Sequence, residues 1–311
     1  MKQDRKKKLL CVVILIISMA MFGKMGWNVS WAATQKEVTT EQLDEDVVLV
    51  GGMPIGIYME TDGVLVLNTQ KIKGIDGKEY NPAEKQVKSG DYIIGINGVE
   101  IHDKKQLTKQ VEKLNDQEVE LSIYREQKNL NVKIKAVESE TKKYKLGIWV
   151  RDNVQGLGTI TFLTKNSEFG ALGHGISDVD TGELLHIDDG DLYQAQIVGI
   201  QKGSSGSPGE LSGLIHYEAE KIIGSIEKNC EQGIYGKLSE LPEELGLRKM
   251  EVAYKQELEI GPASILCCVD GTVREFDAEI TRIDMNHEDT NKSFVIQVTD
   301  PELLELTGGI V

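Results

Sequence analysis

Between Val119 and Ala136 the sequence alternates apolar and polar residues twice over: Val119, Leu121, Ile123, then Leu130, Val132, Ile134, Ala136. Period-two alternation puts every apolar side chain of an extended segment on one face, which a helix cannot do. The polar break Glu126-Gln127-Lys128-Asn129 makes the pair a β-hairpin. Glycine points the same way, with 32 in 311 residues, because it serves the turns of a strand-rich chain. Hydrophobic residues make up 40% and charged residues 27%, enough to build packed cores, and the length suits about two domains.

The hairpin closes a first block, residues 47–137. Val64-Leu65-Val66-Leu67 has strand character. Asp103 with Gln106 three residues on reads as a capping box, opening a helix whose apolar stripe is Leu107, Val111 and Leu114. Strands, one helix and a closing hairpin are the order of a PDZ domain, a small α+β barrel with one main helix. Two segments carry the resemblance. Met53-Pro54-Ile55-Gly56-Ile57 resembles the carboxylate-binding loop, and Ser89-Gly90-Asp91-Tyr92-Ile93-Ile94-Gly95-Ile96-Asn97-Gly98 resembles the family signature. The resemblance implies a turn at Ile55, Gly56 and Ile57 whose N–H groups converge on a peptide carboxylate. The bound peptide would then add as a strand beside residues 57–60.

The first 32 residues pair a basic cluster (Lys2, Arg5, Lys6, Lys7, Lys8) with the apolar run Leu9 to Phe22, an export segment. It reads equally as a cleaved signal peptide or a membrane anchor, and either places the bulk of the chain outside the cytoplasm. Residues 33–46 read as a polar, acidic linker. The net charge of −15 argues against nucleic-acid binding, which needs Lys and Arg on phosphates. Cys11 lies in the export segment; Cys230, Cys267 and Cys268 form no CxxC pair and read as small apolar side chains, with no metal or cofactor indicated.

A charged stretch, 138–145, reads as a second linker before a block from 146 to 311, whose glycines and alternating segments such as Thr159-Ile160-Thr161-Phe162 indicate an all-β barrel or sandwich. Long helical patterns are few there, the clearest being around Glu240–Leu245 and Pro301–Leu306. Its chemistry has three candidates. His174 lies between Gly173 and Gly175, where a core strand would give it no packing and a bent backbone would expose it; His102, His186, His216 and His287 read as surface or loop residues. Asp300 ends the strand pattern Phe294-Val295-Ile296-Gln297, where it can orient an imidazole; standing before Pro301, it is by physics alone an N-cap. Gly203-Ser204-Ser205-Gly206-Ser207-Pro208-Gly209 has the letters of a serine-nucleophile turn, although a plain turn between strands is commoner.

Several longer runs extend the resemblance over nearly the whole chain: Leu146-Gly147-Ile148-Trp149-Val150-Arg151-Asp152, Gly170-Ala171-Leu172-Gly173-His174-Gly175-Ile176, Ile226-Glu227-Lys228-Asn229, Gly233-Ile234-Tyr235-Gly236, Val298-Thr299-Asp300-Pro301 and Leu306-Thr307-Gly308-Gly309-Ile310-Val311. With the export segment and the PDZ block they resemble the SpoIVB peptidase family of endospore-forming bacteria. The resemblance implies a mainly β chain, a PDZ domain followed by a chymotrypsin-like β-barrel, acting as a serine endopeptidase. His174 would be the general base and Asp300 the aspartate of a Ser-His-Asp triad. It implies self-cleavage and cleavage of a membrane-bound sporulation regulator, in the space between mother cell and forespore, with the PDZ domain guiding recognition of protein or peptide substrates. The family's serine sits in a Gly-Met-Ser-Gly-Ser-Pro segment just after the stretch matched here by residues 307–311. On that spacing the barrel is incomplete, the chain as written lacks its nucleophile and is expected to be inactive, and Ser205 is a poor substitute because its turn occupies another place. The competing reading is an exported PDZ module that binds peptides without catalysis. A structural coat or adhesion protein finds no repeats or low-complexity segments in its favour.

Overall fold

A computed structural model describes residues 46–239, 247–268, 271–284 and 293–308. The export segment, nearly all of the 33–46 linker, the helix pattern at 240–245 and His287 lie outside the described residues. Among the described residues, no helix is long and apolar enough to cross a membrane.

The chain forms two compact units, and they are interleaved in sequence. Among the described residues, one comprises 58–155 and 176–190; the other comprises 46–57, 156–175 and those that follow residue 190. Residues 47–57 join the second block's unit, and 176–190 join the PDZ unit.

In the PDZ unit the hairpin forms as its alternation demands. Strand Glu118–Arg125 pairs with Lys128–Lys135 from Glu118↔Lys135 to Arg125↔Lys128. The turn is tighter than the polar break suggested: Glu126 and Gln127 alone make it, at φ 47° and 62°. That is the left-handed geometry matching the twist of two strands. Strand Tyr92–Ile96 pairs with Glu118–Arg125 through Ile93↔Ile123 and Ile96↔Leu121, and with the strand carrying Val64 and Leu65. Val119, Leu121 and Ile123 are buried, with Val64, Val66, Ile93, Ile96 and Leu107 in the same core. Leu130, on the outer strand of the hairpin, stays exposed. Each buried aliphatic side chain contributes about 1.5–3 kcal/mol. Helix α1 (Lys104–Val111) starts at Asp103, whose Oδ1 accepts the Gln106 amide at 2.6 Å. Gln106 reaches back to the His102 amide rather than to that of Asp103, and the Lys104 amide donates to Asp152 Oδ2 at 2.8 Å.

The stretch 138–145 is not a free linker. Val137–Glu138 and Tyr144–Lys145 form a small hairpin, closed by Ser139 N–H to Lys143 O at 2.9 Å. Its charged side chains face water while its backbone pairs, and composition reports only the first of these.

The other unit is an antiparallel assembly. Val47–Val50 lies between Arg248–Glu251 and the strand end Phe162–Leu163. Pairing then continues through Glu168–Ala171, Gly233–Leu238 and Ile222–Cys230. A three-stranded sheet of Gly261–Cys268, Val273–Ile283 and Phe294–Val298 carries helix α2 (Pro301–Thr307), which buries Leu303 against Cys267 and Phe276. Gly236 shows how tightly this unit is built: an added Cβ would lie 2.0 Å from the Ser225 carbonyl oxygen.

Candidate active site

His174 is presented by a reversal of the chain. Strand Glu168–Ala171 ends, and Leu172 and Gly173 both take left-handed conformations, φ 73° and 80°. The conformation is free for Gly173 but costs a leucine about 1–2 kcal/mol. It is held by Leu172 N–H to Thr159 O at 3.1 Å, and by Gly173 N–H to Ala171 O at 3.0 Å. The following Gly175 N–H donates to Glu231 O at 3.2 Å. The imidazole is left exposed, with Nδ1 3.0 Å from Gly175 O. A carbonyl only accepts, so Nδ1 carries the proton and Nε2 is the free, basic nitrogen.

Asp300 caps α2. Its Oδ1 accepts the Leu303 amide at 3.0 Å, and Pro301 occupies the first helical position. Its own amide donates to Asp277 O at 3.0 Å, tying the cap to the neighbouring sheet. The physical expectation of an N-cap is therefore met.

Ser205 sits in an exposed turn closed by the Ser204↔Ser207 bridge, with Gly206 at φ 80°. That turn rests on the far end of α2, where Gly203 N–H donates to Thr307 O at 2.9 Å. Asp300 and this turn thus lie at opposite ends of a seven-residue helix, about 10 Å apart at 1.5 Å per residue. Among the described residues, no hydrogen bond or ion pair joins His174, Asp300 and Ser205.

Ile55, Gly56 and Ile57 do not form an open turn. They lie within strand Pro54–Thr69, both isoleucines are fully buried, and an added Cβ on Gly56 would meet the Ile215 side chain at 2.2 Å. The apolar residues that suggested a ligand loop are core.

Among the described residues, Cys230, Cys267 and Cys268 form no disulfide. Burial, with Cys268 and Asp300 adding to it against Arg274, pushes the Cys267 thiol up to about 12, so it is no nucleophile at neutral pH. A cavity of about 530 Å³ lies elsewhere, in the PDZ unit, lined by residues such as Tyr80, Asn81, Glu138 and Tyr144 and by none of the candidates.

One constellation carried no role in the sequence reading. Arg151 grips both Asp178 and Asp180 in the PDZ unit, and the Asp178 side chain is fully buried. Arg151 stood within a quoted run, and nothing local shows that it meets Asp178 and Asp180.

These features define a PDZ-bearing, β-rich protein with an exposed imidazole presented on a left-handed turn. The particular family follows from comparison: the model for SpoIVB peptidase S55 matches residues 142–311, and a PDZ domain model matches residues 51–136. The chain belongs to the SpoIVB peptidase S55 family, whose membership implies serine peptidase activity. No curated protein matches it.

Proposed function

We propose that the chain works as a serine endopeptidase of sporulation signalling, exported or anchored by its N-terminal segment into the space between mother cell and forespore. Its substrates would be itself and a membrane-bound regulator, recruited with the help of the PDZ unit. The observation that carries this reading is His174, an exposed imidazole with Nδ1–H engaged and Nε2 free, within the family-matched segment.

In this mechanism Nε2 takes the proton of the attacking serine and later returns it to the leaving amine. Asp300 is the family's orienting carboxylate. To serve, it must receive the Nδ1–H now directed at Gly175 O, while its other oxygen keeps the Leu303 amide. The β-rich unit would be the chymotrypsin-like scaffold. The serine belongs to the Gly-Met-Ser-Gly-Ser-Pro segment that follows the matched stretch in the family. Ser205, at the opposite end of α2 from Asp300, does not take its part.

The test is peptide turnover by a form of the protein that carries that segment. The expected result is serine-reagent-sensitive cleavage, abolished by His174→Ala. Cleavage insensitive to serine reagents, or untouched by His174→Ala, overturns the reading. The non-catalytic PDZ module draws less support, because Ile55, Gly56 and Ile57 offer no open loop to a peptide carboxylate.

A further inference from the structure

We propose that the cavity of the PDZ unit binds an arginine side chain of a polypeptide. The proposal deepens the reading of that unit as the part that recruits peptide substrates, and rests on it only for the purpose of the binding.

Two short hairpins frame the cavity. In the first, Ile72–Lys73 pairs with Glu79–Tyr80, and the turn is closed by Gly74 N–H to Lys78 O at 2.8 Å and Gly77 N–H to Gly74 O at 2.9 Å. The second joins Val137–Glu138 to Tyr144–Lys145. The hairpins are laced together by Ile75 N–H to Glu138 O at 2.9 Å, by the Gly74↔Ser139 bridge and by the Lys73–Glu140 ion pair at 2.7 Å. The space beside them is about 530 Å³, within the ~300–1,000 Å³ usual for small-ligand sites. All of its lining residues lie between 74 and 144, inside one compact unit.

Ile75, Pro82 and Val137 supply an apolar wall, and Tyr80 and Tyr144 supply rings. Both rings are held: Tyr144 packs against the PDZ core, and the Tyr80 hydroxyl donates to Asp76 Oδ2 at 2.6 Å. The charge of the lining is one-sided, with Asp76, Asp116 and Glu138 against a single cation, Lys135. Asp76 is already engaged by Tyr80 and by Lys78, whose Nζ is 4.0 Å away. Among the described residues, Asp116 and Glu138 pair with no cation. Both act on one ring: burial first, then Glu138 and Asp116, push the Tyr144 phenol above its ordinary value. Asn81 also lines the cavity, and its buried Oδ1 finds no hydrogen-bond donor among the described residues.

Such a lining suits a ligand that is apolar along its stem and cationic, planar and rich in N–H at its tip. A metal ion is a poorer match, because among the described residues no three His, Cys, Asp or Glu side chains are grouped as ligands. A lysine ammonium would meet the carboxylates only as a point charge. A guanidinium lies flat on a tyrosine ring, donates to both Glu138 and Asp116, and keeps further N–H groups for Asn81. The methylene stem of the same side chain covers Ile75 and Val137. The net charge of −15 favours the approach of a basic peptide, and the carboxylates at the cavity repel an anionic one.

The experiment measures, by fluorescence anisotropy, binding of the full chain to a labelled peptide with blocked ends and one arginine among glycines. The citrulline peptide keeps the shape without the charge and should bind about tenfold more weakly. Glu138→Gln and Asp116→Asn should each weaken the arginine peptide about threefold and leave the citrulline peptide unchanged. Citrulline or lysine peptides binding as tightly as arginine, or arginine binding untouched in both variants, overturns the inference. If Glu138→Gln does not fold, the exposed Asp116→Asn gives the same reading. In a form that turns over peptide, Glu138→Gln should raise KM for arginine-bearing peptides more than for their citrulline counterparts. Arginine binding without any turnover leaves this inference standing and sinks the peptidase reading alone; turnover without arginine binding sinks this inference alone.

Discussion

Arg125 holds Asp91 with two parallel hydrogen bonds, Nε to Oδ1 and Nη2 to Oδ2, each 2.6 Å. The Asp91 side chain is only 2% exposed and also accepts the Lys88 amide at 2.8 Å. Here the Gly-Asp pair of the PDZ signature is a structural lock between the hairpin and the turn at residues 88–91. Asp91→Ala strands a mostly buried guanidinium and should cost about 3–5 kcal/mol. Arg125→Lys keeps the charge but loses the two-pronged geometry, and should cost less. Urea unfolding of the PDZ unit's signal measures both.

Asp300 has two separable roles. Asp300→Ala removes the cap of α2 and should cost about 0.5–2 kcal/mol. Asp300→Ser restores a capping oxygen but no negative charge. Thermal unfolding of Asp300→Ser should therefore approach the wild type, while turnover in an active form stays at the level of Asp300→Ala. Recovery of both together would mean the carboxylate matters only as a cap.

Two glycines should respond differently to alanine. At Gly236 the new Cβ would be driven onto the Ser225 backbone at 2.0 Å. The strand pair must move apart, so Gly236→Ala should cost about 3 kcal/mol or more, at or above the usual range for overpacking. At Gly206 nothing lies within 4 Å, and only its φ of 80° opposes a side chain. Gly206→Ala should cost about 1–2 kcal/mol. Equal melting temperatures for the two variants would contradict this.

Cys267 makes stability sensitive to alkali. Its thiol is pushed up to about 12 from an ordinary value of 9.0. Between these values the unfolded chain has lost the proton that the folded chain keeps. The raised value therefore contributes stability in full below pH 9, and the contribution falls as pH rises toward 12, by at most about 1.4 kcal/mol per pH unit. Denaturant midpoints across that range should fall less steeply in Cys267→Ala. In the wild type at pH 8, a thiol reagent should label half-buried Cys230 well before Cys267.

Elements built from neighbours in sequence were legible without coordinates. The 118–135 hairpin, the Asp103 start of α1 and the Asp300-Pro301 start of α2 each arise from periodicity or a capping side chain within four residues, and all three formed where expected. Even there, resolution ran out at a residue or two: Lys128 and Asn129 pair rather than turn, because a right-handed ribbon prefers a two-residue left-handed reversal. The bend exposing His174 was legible from its flanking glycines, but Leu172 sharing it was not, since leucine takes that conformation only when its surroundings impose it.

What the sequence determined by itself was the strand content, the two helix starts, the PDZ order and the solvent-facing histidine, all consequences of short-range sterics and side-chain periodicity. What only the tertiary structure decided was which segments keep company. Ile55 and Ile57 became core instead of a ligand loop, 138–145 became a hairpin instead of a linker, and 176–190 joined the PDZ unit with Asp178 on Arg151. Those outcomes turn on burial and hydrogen bonds between residues far apart in the chain, whose partners no local pattern names.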